Sequence, residues 1–267
     1  MKRLTARFDA LRKAGRKALV PFVTAGDPSL QATVPVLHAL VQAGADAIEL
    51  GVPFSDPMAE GPTIQRSSER ALARGAGLSY VLDCARRFRE RDDDTPLVLM
   101  GYLNPVEIRG YARFAEQAAA AGVDGVLLVD LPPEEAGECR AALAAHGIAL
   151  ILLASPTTSE SRLRTLCNDA QGYLYYVSFA GVTGADRLDV GLASERLQQI
   201  RTMSAAPVLA GFGIKDAASA AAMARAADGV IVGSALVAAL SEAADAADAA
   251  ERAARFLTPL RAALDGV

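Results

Sequence analysis

The sequence predicts an α/β fold, a closed (β/α)8 TIM barrel with an N-terminal helix and extra helices after strand 2 and near strand 8. Three observations carry this reading. Short runs rich in Val, Ile and Leu recur eight times along 267 residues, at about the spacing of an eight-unit barrel. Between them lie longer amphipathic stretches, and continuous apolar strands alternating with helices mark a parallel sheet covered on both faces. A weak internal repeat precedes three of the strands, so the same unit of helix end, tight turn and strand recurs. No linker interrupts the pattern, and residues 1–267 are expected to form one domain.

Taken in order, Leu4, Phe8 and Leu11 fall at i, i+4 and i+7, giving the first residues one apolar helical face suited to plugging the barrel floor. Strands are expected at residues 18–24, 47–50, 96–100, 125–129, 149–153, 173–177, 207–210 and 229–232. The repeat reads Ala-Gly-Ala-Asp-Ala-Ile-Glu-Leu from Ala43, Ala-Gly-Val-Asp-Gly-Val-Leu-Leu from Ala121 and Ala-Ala-Asp-Gly-Val-Ile-Val from Ala226. Gly44 and Gly122 in it suit the left-handed position that closes a helix. Two connections exceed what a barrel needs. One holds the loop of residues 53–61 and an extra helix over 63–74; the other, residues 178–191, follows strand six. Residues 242–255 read as a last surface helix, with Pro259 kinking or ending it.

Charge and cysteine content exclude several classes. The net charge is −4, from 27 basic and 31 acidic residues, and no Lys/Arg block stands free of an amphipathic pattern, so no nucleic-acid partner is expected. Cys84, Cys139 and Cys167 are odd in number and form no metal-ligand spacing, which reads as reduced structural thiols in a cytoplasmic protein. The N-terminus lacks an apolar core of the signal-peptide kind, and no apolar run is long enough to span a bilayer; no membrane association is expected.

Barrel active sites lie at the C-terminal ends of the strands and in the loops that follow. That filter removes His38, inside the helix after strand one, and His146, in the turn before strand five. Carboxylates or tyrosines must then move protons. Glu49 shares a strand face with Ala47, opposite Ile48 and Leu50, and so is expected to face into the barrel mouth, where lost hydration raises its pKa. A buried acid paired with Arg or Lys is the structural alternative. Glu60 sits in the loop after strand two, where an acid is either merely solvated or aimed at the site.

Three glycine segments late in the chain suit a phosphate: Gly181 to Gly184 after strand six, Gly211 to Ile214 after strand seven, and Gly233-Ser234 after strand eight. The expected contacts are Gly184, Gly213, Gly233 and Ser234, two of these segments lying where barrels commonly bind phosphate. Tyr175 and Tyr102, with Phe22, Leu127 and Phe212, can line an aromatic pocket, plain core packing being the alternative for each. Thr183, between two glycines of the strand-six loop, is a candidate substrate contact, and Asp130, ending strand four, a candidate orienting group. No metal site is expected.

Residues 48–65, Ile-Glu-Leu-Gly-Val-Pro-Phe-Ser-Asp-Pro-Met-Ala-Glu-Gly-Pro-Thr-Ile-Gln, closely resemble the strand-two signature of the tryptophan synthase α subunit family. Residues 21–28, 129–132, 175–178, 181–184 and 211–213 look like that family's too, so the resemblance covers almost the whole chain. It implies a lyase that splits indole-3-glycerol phosphate into indole and glyceraldehyde 3-phosphate. By that resemblance Glu49 protonates indole C3, Glu60 accepts the indole N–H proton, and Tyr175 belongs to the catalytic set. It also implies a β-subunit partner in an α2β2 complex, with pyridoxal phosphate in the partner and no cofactor in this chain. One departure stands out: the family usually has Asp where this chain has Glu60. Two other readings remain open, a phosphate-binding subunit whose cleavage is impaired by Glu60, and another phosphate-binding barrel isomerase.

Overall fold

The computed structural model describes residues 2–177, 190–211 and 213–267. Among them, eight parallel strands close into a barrel in sequence order: β1 (Ala18–Thr24), β2 (Ile48–Gly51), β3 (Leu97–Gly101), β4 (Gly125–Leu128), β5 (Ala149–Ala154), β6 (Leu174–Tyr176), β7 (Val208–Ala210) and β8 (Gly229–Val232). Closure is made by β1 pairing with β8, Ala18 opposite Gly229. Each strand lies within a residue or so of the run that predicts it.

The barrel sorts its apolar side chains into two bodies, as the alternation of strand side chains requires. Ile48 and Leu50 join the layer between sheet and helices, whereas Ala47, Val98, Leu127, Tyr173 and Tyr175 fill the interior. The N-terminal helix α1 (Lys2–Ala14) closes the floor of that interior with Leu4, Phe8 and Leu11, as its periodicity indicates. Phe8 rests 5.6 Å, centroid to centroid, from Tyr173.

The outer layer begins with α2 (Thr33–Gln42), then α3 (Pro62–Ala73) and α4 (Leu78–Arg89), so the extra helix after strand two is present. Strand three is followed by two helices, α5 (Leu103–Arg109) and α6 (Tyr111–Ala120), split at Gly110, whose φ of 84° suits glycine. The sequence reading had no separate α5. The layer continues with α7 (Gly137–Ala145), α8 (Glu160–Asp169), α9 (Val190–Met203), α10 (Ala217–Ala224), α11 (Ser234–Ser241) and α12 (Ala246–Leu264). The short α11 is the extra helix near strand eight.

One expectation fails here. Pro259 does not end the last helix, which runs on to Leu264, nor is that helix merely superficial. Proline removes one backbone donor, but Leu257, Leu260, Arg261 and Leu264 are buried beyond or beside it, and their packing outweighs that loss.

The repeat has a physical meaning that residue pattern alone did not reveal. Its aspartates, Asp46, Asp124 and Asp228, each accept a backbone N–H from the start of an adjacent strand: Leu19 at 2.9 Å, Leu97 at 3.0 Å and Val208 at 2.9 Å. Each also pairs with an arginine, Arg261 at 2.9 Å, Arg89 at 2.7 Å and Arg201 at 2.7 Å respectively. The preceding glycines Gly44 and Gly122 have φ of 97° and 78°, as expected for helix closure. Three arginine-backed latches thus tie neighbouring strands together at the base, opposite the end that carries the candidate site.

Candidate active site

At the C-terminal ends of β1 to β3 lies a cavity lined by Phe22, Thr24, Gly51, Met100 and Tyr102 from the strands, and by Phe54, Pro57, Glu60, Ile64 and Ser68 from the loop and α3. Its apolar walls and single carboxyl suit a flat aromatic ring with one polar edge. Gly51 is there for space: a Cβ at that position would come within 2.6 Å of the Phe22 ring.

Glu49 is not among the lining residues: it stands two positions before Gly51 on β2, register-paired with Phe22 and completely buried. It faces the barrel interior, as alternation predicts, but lies in the core rather than open at the mouth. Its Oε1 accepts the Tyr173 hydroxyl at 2.5 Å, and its Oε2 has no hydrogen-bond partner among the described residues. The partner is a phenol, not the Arg or Lys that a structural ion pair would supply. Burial pushes the carboxyl up to about 7, against the opposing pull of the Tyr173 hydrogen bond, and the nearby Glu60 charge adds to the rise. Glu60 lines the cavity directly, and burial lifts it to about 7 as well. Both carboxyls are thus lifted mainly by burial to the range where an acid can hold or release a proton near neutrality.

Tyr175 lies in the interior beside this pair, its ring so close to Gly211 that a Cβ there would sit 2.1 Å from it. Burial and the Glu49 and Glu60 charges hold its hydroxyl well above the ordinary tyrosine range, so it stays a neutral phenol. Tyr173, which the sequence does not single out, is the residue that bonds Glu49. The signal was available: Tyr173 and Tyr175 are two positions apart and both point inward, one level nearer the floor where Glu49 also points.

Of the other candidates, Phe22 and Tyr102 line the cavity with Glu60, whereas Leu127 is fully buried in the interior and is not among the lining residues. Gly233 and Ser234 open α11, and a Cβ on Gly233 would stand 3.6 Å from Phe22, so that helix start adjoins the aromatic pocket. Gly213 has φ of 64° with open space where a side chain would be, leaving its backbone approachable. Thr183, Gly184 and Phe212 lie outside the described residues. Asp130 accepts the Leu103 N–H at 2.8 Å and so fixes the start of α5. His38 packs on Phe88 at 5.0 Å within the helical layer, and His146 caps α7, both away from the cavity. Cys84, Cys139 and Cys167 are buried free thiols. Among the described residues no group of three or more His, Cys, Asp or Glu is placed to hold a metal, and no helix is long and apolar enough to cross a membrane.

Comparison with known proteins agrees with this geometry. The profile of the family described as "Tryptophan synthase alpha chain" matches residues 8–264. The chain is 72% identical over 264 residues to the "Tryptophan synthase alpha chain" of Xanthomonas campestris pv. campestris (strain B100), covering 98% of this chain and 97% of that protein. It is 72% identical to the protein of the same name from Xanthomonas axonopodis pv. citri (strain 306), covering 99% of each. The crystal structure of tryptophan synthase subunit alpha from Legionella pneumophila str. Paris superposes with a TM-score of 0.93 at 46% identity, covering 99% of both chains. With a barrel of this topology, Glu60 lining the cavity at its mouth, Glu49 buried on the strand that leads to it, and such identity over nearly its full length, the chain belongs to the tryptophan synthase alpha-chain family.

Proposed function

We propose that Glu49 and Glu60 are the acid and the base with which this chain cleaves indole-3-glycerol phosphate to indole and glyceraldehyde 3-phosphate, the lyase step that its family performs in tryptophan biosynthesis. The observation that carries the assignment is the shared elevation of both carboxyls to about 7, Glu60 lining the cavity and Glu49 buried beside its Phe22 wall. Protonated Glu49 gives its proton to indole C3 while the Glu60 carboxylate accepts the ring N–H proton, leaving C3 tetrahedral and a C=N bond in the ring. The Glu49 carboxylate then takes the proton of the substrate hydroxyl. That oxygen forms the aldehyde carbonyl, the bond from C3 to the glycerol carbon breaks, and its electron pair restores the indole as Glu60 returns the proton to nitrogen. A pair that holds one proton between its two members near neutral pH suits both halves of this cycle.

Tyr173 orients Glu49 by its hydrogen bond, leaving Oε2 for proton transfer. Tyr175 remains a catalytic candidate as the neutral phenol beside Glu49; Phe22 and Tyr102 supply the aromatic walls, and Leu127 and Phe212 are assigned to the substrate side of the site. Gly184, Gly213, Gly233 and Ser234 are assigned to the substrate phosphate, with the α11 start as the anion-binding end. Thr183 is assigned to the substrate side of the strand-six loop.

The alpha chain acts with a β subunit, in this reading as an α2β2 complex in the cytoplasm whose β subunits carry pyridoxal phosphate. Met58, on the loop after β2, and Ile108, on α5, are large apolar side chains 87% and 80% exposed that suit burial against that partner. Steady-state cleavage of indole-3-glycerol phosphate by the full chain, with and without a β subunit, tests the assignment. Glu60→Ala is expected to lose most of its turnover while glycerol phosphate still inhibits. A parent with no cleavage in either setting favours instead an activating subunit impaired by Glu60.

A further inference from the structure

The loop that carries Glu60 runs along the surface, with Ser55, Asp56, Met58 and Ala59 exposed, yet Glu60 itself must be placed to within a fraction of an ångström. Two side chains from other elements hold the peptides on either side of it. The Tyr102 hydroxyl accepts the Ala59 N–H at 2.9 Å. Gln65, on α3, donates through Nε2 to the Glu60 carbonyl at 2.9 Å and reaches the Pro57 carbonyl at 3.4 Å.

Tyr102 is itself fixed to the barrel. It follows β3 directly, is 4% exposed, and stacks on Phe54 with ring centroids 4.9 Å apart and planes inclined by 25°. Its chain neighbours are held too: Leu103 by Asp130, and Gly101 by Val52, against which a Cβ would stand at 3.0 Å.

We propose that Tyr102 and Gln65 are positioning residues for Glu60, locking the loop backbone so that the longer acid presents its carboxyl to the ring nitrogen. This rests on the reading of Glu60 as the proton acceptor. The physical need is specific to a glutamate here, because its extra methylene adds a rotatable bond and a free backbone would multiply the positions its carboxyl can take. Burial pushes the Tyr102 phenol up to about 12, so it stays a neutral hydroxyl across the working pH range. Tyr102 thus serves the pocket twice, as wall and as pin.

The test uses the full chain with a β subunit present. Tyr102→Phe keeps the ring stack and removes the acceptor; it is expected to lower kcat about tenfold with KM for indole-3-glycerol phosphate changed less than about twofold. Placed in a Glu60→Gln background, the same substitution should cost under about twofold, since no carboxyl remains to be positioned. The Glu60 titration, followed by carbon NMR, should shift down by about half a pH unit or more in Tyr102→Phe as the loosened loop admits water. Gln65→Met, which removes the donor at similar length without adding a charge, is expected to act in the same direction. With Glu60→Gln impaired, a parental kcat in Tyr102→Phe, or an equal loss in both backgrounds, overturns the proposal. If Glu60→Gln instead cleaves at the parental rate, the proton-acceptor assignment fails. The titration then judges the pin alone, and an unmoved midpoint overturns it.

Discussion

At the scale of single residues, the acid role proposed for Glu49 and its complete burial each lead to a measurable expectation. Glu49→Gln preserves volume and the Tyr173 contact but cannot give and retake a proton, so kcat is expected to fall about 10²-fold or more with KM nearly unchanged; near-normal turnover would remove it from the mechanism. Because both acids ionise at about 7 and only one protonation state of the pair is productive, kcat/KM should be bell-shaped with its maximum near neutrality. A profile flat from about pH 5.5 to about pH 8.5 contradicts the pairing. Stability follows with a definite sign. Each carboxyl holds its proton in the fold up to about 7, against an ordinary value of 4.5, so its contribution is fully present below 4.5 and is lost as pH rises through 7. Glu49→Gln should therefore gain stability on the parent between about pH 5 and about pH 8, measured by denaturant midpoint at each pH.

At the scale of elements, α3 carries the frame of the Glu60 loop and is clamped to the β1 end. Arg70 makes a two-point pair with Asp27 at 2.8 and 2.7 Å, Arg74 adds a contact at 3.5 Å, and Thr24 and Ser67 share a hydrogen bond of 2.7 Å. The pair is asymmetric, with the Asp27 side chain 2% exposed and that of Arg70 35%. Removing the arginine leaves a buried charge short of partners, whereas removing the aspartate frees cations that can turn to water. Arg70→Ala is thus expected to cost about 3 kcal/mol and Asp27→Ala less, read from chemical denaturation; the reverse order would show that α3 is held by packing alone. The start of the helix is legible in the sequence because Gly61-Pro62 supplies an N-cap and a first-turn proline. The clamp is not legible, since Asp27 and Arg70 are 43 residues apart and no local pattern pairs them.

At the scale of the whole molecule, the base latches and the α1 plug hold the barrel closed beneath the site. Asp46 and Asp124 are almost fully buried against Arg261 and Arg89, while Asp228 and Arg201 are each about one-third exposed. Substitution to Ala should therefore destabilise in the order Asp46 and Asp124, by about 3 to 5 kcal/mol, then Asp228 by a smaller amount. Equal losses at all three would mean that the strand N–H bond, common to them, outweighs the arginine pair. Phe8 touches the Tyr173 ring, so Phe8→Ala is expected to cost about 3 kcal/mol and also to disturb Glu49 through its hydrogen-bond partner.

What the sequence determined by itself is whatever local periodicity and backbone chemistry encode. Eight apolar runs set the strands, alternation set Glu49 inward and Ile48 and Leu50 outward, and glycines at Gly44 and Gly122 set the helix ends. The family signature around Glu49 and Glu60 carried the reaction. What tertiary structure alone decided is whatever depends on distant residues meeting: Tyr173 rather than Tyr175 on Glu49, 124 residues apart, Tyr102 on the Glu60 loop, and the arginine behind each repeat aspartate. Pro259 marks the same division. Its local penalty is fixed by its ring, but the helix continues because Leu260, Arg261 and Leu264 find partners elsewhere in the fold, and burial there outweighs one missing hydrogen bond.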